Sequence, residues 1–130
     1  MKPTDRMLLQ LLSAAINAQN PTLDRALSDS EWNLVYGQAA KQGVLAVMWE
    51  SVRRLPQDLQ LVRSLKLQWA YGVEQIVSRS KRQMQEAARF AALCADAGCR
   101  LILLKGIGLS RYYPCLLYTS PSPRDYAASR

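Results

Sequence analysis

The sequence has no histidine. That absence removes zinc sites built on imidazole, Ser-His triads and Cys-His dyads. Cysteine is scarce: Cys94, Cys99 and Cys115 are the only three, and no two stand in Cys-x-x-Cys spacing. Neither a disulfide framework nor a thiolate zinc site is spelled out. Cys94 and Cys99 flank an expected helix end and read as reduced packing residues, which implies a cytoplasmic setting. No apolar run approaches the roughly 18 residues of a membrane span, so no membrane partner is expected. The opening "MKPTDRMLLQLLSAAINAQN" is a poor signal peptide, because Asp5 sits among its early basic residues and Gln10 interrupts the apolar run.

What is present is an ordinary globular composition, 49% hydrophobic and 21% charged over 130 residues. That length is one small domain or a piece of a larger one. The net charge of +7 tolerates anionic partners without identifying one.

Helical periodicity dominates. Thr4 or Asp5 can cap a first helix running to about residue 18, with Leu8, Leu12, Ala15 and Gln19 on a shared face. "SDSE" is a capping box in which the Ser28 hydroxyl meets the Glu31 amide and the Glu31 carboxylate reaches back. The helix it starts carries Trp32, Val35, Tyr36 and Ala39 at helical spacing, and Gly43 is its left-handed stop. "VLAVMWESVRRLP" makes a third helix with Val44, Val47, Met48 and Val52 inward and Arg53 and Arg54 outward. From residue 57 to 97 there is no proline and a single glycine, Gly72, which predicts one long helix or two broken near Gly72. Its inward residues are Leu59, Val62, Trp69, Val73, Ile76, Met84, Ala88 and Ala91. Arg79, Arg82 and Arg89 share a face with Glu86 among them, a solvated face laced by charge pairs. With no aromatic read between these arginines, nucleic acid is a disfavoured partner.

Gly98 closes the long helix, and "CRLILL" reads as a short buried strand before Lys105-Gly106. "GIGLSRYY" then turns into a helix. A lone strand cannot satisfy its edges, so a sheet is implied that the chain does not supply. The chain is therefore expected to be mainly α, a helical bundle with one long helix followed by a single strand-turn-helix. Residues 1–97 form the helical region and residues 98–114 the start of a core that is cut short.

The pattern "EWNLVYGQAAKQGVLAVMWESV", a long helix, then "AGCRLILLKGIGLSRYYP" resembles the N-terminal half of uncharacterised bacterial nucleotidyltransferases of the polymerase-β-like superfamily. The resemblance covers residues 28–114 and implies that the chain is an N-terminal fragment of an α/β nucleotidyltransferase fold. It implies transfer of a nucleoside monophosphate from a nucleoside triphosphate to an unknown hydroxyl acceptor. Mg2+ or a similar divalent ion would serve the intact protein, held by an Asp-x-Asp pair and a third carboxylate. Lys105 and Gly106 match the family's lysine and glycine at the phosphates. Glycine there lets backbone approach a triphosphate, and the following helix start offers free amides. The bland alternative is a solvated lysine at Lys105 and a turn former at Gly106. Ile107 stands where the superfamily prefers a small residue, and Gln42 where the family often has histidine.

Residues 1–114 contain no Asp-x-Asp pair: Asp5, Asp24, Asp29, Asp58 and Asp96 stand apart. The metal carboxylates are expected beyond Pro114, leaving the chain as given without catalytic residues and inactive. From Cys115 the chain reads "CLLYTSPSPRDYAASR". One reading is a disordered Ser/Pro tail. The other is that residues 115–130 resemble translated sequencing-adapter DNA, with Cys115–Asp125 following one adapter frame without mismatch. On that reading Asp125 is no catalytic acid, and residues 1–114 carry 15 basic and 9 acidic side chains. A different class of function stays open: a small basic helical module that binds a protein or anion through Arg53, Arg54, Arg79 and Arg82 without catalysis.

Overall fold

The computed structural model describes residues 1–104. Lys105, Gly106, the helix expected after them and the tail of residues 115–130 lie outside the described residues. The chain divides into two compact units, Met1–Glu74 and Gln75–Arg130. It is mainly helical, and no strand occurs among the described residues.

In the first unit, α1 runs Pro3–Ile16, α2 Asp29–Lys41 and α3 Leu45–Val52, and α4 begins at Arg63. Proline in the first turn of α1 starts it earlier than Thr4 or Asp5 would, with Lys2 at the cap and no side-chain capping bond. The buried row is Met7, Leu11 and Ala14. Leu8, Leu12 and Ala15 are half-buried, and Gln19 is exposed beyond the helix end. The expected face is thus rotated by one residue, toward the row that meets α3. There the buried Ser51 hydroxyl donates to the Leu11 carbonyl at 2.5 Å. A serine on an otherwise apolar helix face has found the one acceptor that makes its burial tolerable.

The capping box of α2 is present in full, with Ser28 Oγ accepting from the Glu31 amide and the Glu31 carboxylate from the Ser28 amide. Trp32, Val35 and Ala39 are buried, and Tyr36 is half-buried. α3 is buried more widely than expected, with Leu45, Ala46 and Ser51 joining Val47, Met48 and Val52.

Three helices end in the same way. After α1, α2 and α4 a residue with positive φ is followed by a paired set of backbone bonds characteristic of the Schellman motif. Gly43 (φ 70°) and Gly98 (φ 78°) take this position as expected. Their pairs are Gly43 to Ala40 with Val44 to Ala39, and Gly98 to Ala95 with Cys99 to Cys94. After α1 the position is held by Ala18 (φ 52°), with Ala18 to Ala15 and Gln19 to Ala14. A non-glycine residue there costs about 1 kcal/mol.

α4 is one helix, Arg63–Asp96, and Gly72 does not break it. It starts later than residue 57, because Gln57–Leu59 forms a 3-10 turn after Pro56. The Gln60 side-chain amide donates to the Leu55 carbonyl at 2.7 Å and to the Val52 carbonyl at 3.3 Å, the latter also accepting from the Leu55 amide. Leu61, two residues before α4, and Leu65 and Trp69 on it are buried, whereas Val62 is 42% exposed. Trp69 is fully buried and organises this unit. Its ring meets Trp32 and Tyr36 edge-on, with centroids at 6.3 and 5.3 Å, and Trp49 at a tilt. Its indole N–H donates to the Leu45 carbonyl at 2.9 Å, satisfying the polar atom that its burial would strand. Gly72, one turn on, allows the close approach: a Cβ there would stand 2.9 Å from Leu45 Cδ2.

In the second unit the described residues are the rest of α4, the Gly98 stop and residues 99–104. Residues 100–104 occupy no regular element, contrary to the buried strand expected. Ile102 is 70% and Leu104 80% exposed. The physical reason is pairing: a strand is stable only with neighbours, and the described residues offer none.

Candidate functional site

The segment that leads to the expected phosphate loop is set by one residue. Gly98 reverses the chain out of α4, and residues 99–104 run toward Lys105. Lys105 and Gly106 themselves fall outside the described residues.

The arginines of the alternative reading divide by unit. Arg53 and Arg54 project from the end of α3 and are both held by Glu50, at 2.7 and 3.8 Å. Two further ion pairs neutralise cations of the first unit. Arg6 lies 3.9 Å from Asp24, and Arg25 grips Glu31 through two bonds of 2.6 and 2.9 Å. The second of these was missed from sequence, although Arg25 stands six residues before a capping-box glutamate whose carboxylate is fixed in place. That carboxylate is held down to about 2. The Arg25 guanidinium is the main cause, followed by the Ser28 amide. The same pairing raises Arg25 above its ordinary value.

Arg79, Arg82 and Arg89 are different. All three are exposed on α4, and among the described residues none forms an ion pair. Glu86 is close enough in sequence to pair with Arg82 or Arg89 and forms no ion pair with either. The expected charge-paired face is solvated but not laced. Phe90, 56% exposed, follows Arg89 on the same outward side, with Leu93 one turn on. An aromatic therefore does accompany these arginines, a feature that the reading of the sequence passed over.

Metal ligation has no basis in the described residues: no three Cys, Asp or Glu side chains come together. Asp29 and Glu31 are two apart but lie in the first turn of a helix, where alternate residues do not face one another. Glu31 is in any case committed to Arg25 and Ser28. These carboxylates do not fit a divalent ion, and no step through one is derived from them. A shallow cavity of about 590 Å³ lies beside α1, bordered by Arg6, Leu9, Gln10, Ser13 and Asn20.

Comparison with known families decides the affiliation. A sequence model for the family described as "Uncharacterised nucleotidyltransferase" matches residues 28–118, well over half of the chain. The chain belongs to this family. The match opens at Ser28, the cap of α2, and takes in α2, α3, α4 and the Gly98 turn. It also spans Lys105 and Gly106, and it leaves out α1 and the cavity beside it. No curated protein and no solved structure matches the chain. No helix among the described residues is long and apolar enough to cross a membrane.

Proposed function

We propose that the chain is the N-terminal portion of a bacterial, cytoplasmic nucleotidyltransferase. The intact protein moves a nucleoside monophosphate from a nucleoside triphosphate to a hydroxyl acceptor. The family match over residues 28–118 carries this reading. Lys105 balances phosphate charge and Gly106 admits the triphosphate to the backbone. A divalent ion serves the intact protein by neutralising charge and activating the acceptor hydroxyl, on carboxylates that residues 1–114 do not contain. The chain as given is inactive on this account. The free thiols of Cys94 and Cys99 are in keeping with a reducing compartment.

The reading places the junction with adapter-derived sequence at Cys115, so Cys115–Tyr118, which the family match includes, are assigned to the adapter frame. The test is a transfer assay with labelled nucleoside triphosphates and Mg2+ or Mn2+, run on residues 1–130. No incorporation is expected, and metal-dependent transfer by this chain would contradict the reading.

A further inference from the structure

The cations of the second unit form no ion pair among the described residues. Between residues 75 and 104 there are five basic and two acidic side chains, against eight and seven between residues 1 and 74. The excess is concentrated on one side of α4. Arg79, Arg82, Glu86 and Arg89 follow one another at threes and fours, so they share a face, with Phe90 beside them. The three arginines span about 15 Å of helix at 1.5 Å per residue. Arg79 and Arg82 are like charges one turn apart, an arrangement that costs an isolated helix some stability. Nothing among the described residues offsets that cost.

We infer that this outward face of α4 docks a single-stranded nucleic acid, the guanidinium groups of Arg79, Arg82 and Arg89 meeting phosphates and the Phe90 ring stacking on a base. Charge complementarity and an exposed ring adjoining a row of arginines are what such surfaces use, with little dependence on sequence. A lipid surface fits less well. An interfacial helix needs a broad apolar face with cations at its margin. Here the arginines and Glu86 hold the middle of the face, and only Phe90 and Leu93 are apolar and exposed on it. The inference does not rest on catalysis, and its failure would leave the family reading as it stands.

The test is fluorescence anisotropy of a labelled oligothymidylate titrated with the full chain at several salt concentrations. Binding is expected at low ionic strength. Three phosphate contacts predict a slope of about −2 for log K against log salt. Arg79→Gln/Arg82→Gln/Arg89→Gln should abolish binding with helicity unchanged by circular dichroism, and Phe90→Ala should weaken it about tenfold. Arg53→Gln/Arg54→Gln should leave it intact, since those cations already serve Glu50. Absence of binding at low salt, or binding undiminished in the triple variant, would overturn the inference. So would binding of phosphatidylserine vesicles, lost in the triple variant, without oligonucleotide binding.

Discussion

The two units spend their side chains differently. In residues 1–74 Trp32 and Trp69 are buried, the Trp69 indole is satisfied, and four of the five arginines, Arg6, Arg25, Arg53 and Arg54, each have a carboxylate. In residues 75–104 arginines stand unpaired among the described residues, and Phe90, Leu93, Ile102 and Leu104 are more than half exposed. The first unit has an apolar core, and most of its arginines are matched to carboxylates of the same unit. The second presents groups that gain nothing from the described residues. A helix face and an apolar segment of this kind are what a protein shows where further structure or a partner is to be added.

The largest effect that would break this contrast is at Trp69. Trp69→Ala removes the ring on which Trp32, Tyr36 and Trp49 meet and the indole bond to the Leu45 carbonyl. A loss of about 3–5 kcal/mol is expected in urea unfolding followed by circular dichroism. The same measurement on Phe90→Ala should show a change below about 0.5 kcal/mol.

Gly72 gives a smaller and graded effect. Gly72→Leu should cost about 1–3 kcal/mol by forcing Leu45 aside. Gly72→Ala gains about 1 kcal/mol of helix propensity against a 2.9 Å contact with a movable methyl, so it should lie near neutrality. Equal losses for both would show that the approach of α4 to α3 is rigid.

The paired charges of the first unit predict a pH dependence. Glu31 is lowered to about 2 when folded, from about 4.3 in an unfolded chain. Its contribution is present in full above the unfolded value and is lost as pH falls from there through about 2. Melting temperature should fall over that window, and the fall should be shallower in Glu31→Gln. A parallel pair of curves would remove Arg25–Glu31 from the account.

The smallest stability effect is expected in the exposed segment. Ile102→Lys/Leu104→Lys should leave the melting temperature unchanged while raising solubility, measured by light scattering against concentration. A lowered melting temperature would mean that these side chains are part of a core after all.

Much of the fold was legible because its signals are local. Ser28 with Glu31, Gly43 and Gly98 each act through bonds to residues a few positions away, and each was readable from residue type and spacing. The positive φ at Ala18 was not, since alanine carries no mark of that conformation. Which row of α1 faces inward depended on where Ser51 lies, a contact spanning 40 residues. The strand at "CRLILL" failed for the opposite reason: its composition is that of a strand, but strands are made by their neighbours. At the site, Lys105 and Gly106 stand out as a motif in the sequence and lie outside the described residues. That Arg79, Arg82 and Arg89 form no ion pair among the described residues was not legible, because sequence spacing shows which charges could pair and not which do.

The central claim is that the coding frame continues past Pro114 into the metal-binding half of a nucleotidyltransferase. Long-read sequencing of the source DNA across codon 114 tests it most directly. The account predicts an open frame running from Pro114 into an Asp-x-Asp segment, with no trace of Cys115–Arg130. A genomic frame that encodes Cys115–Arg130 and then stops would contradict it.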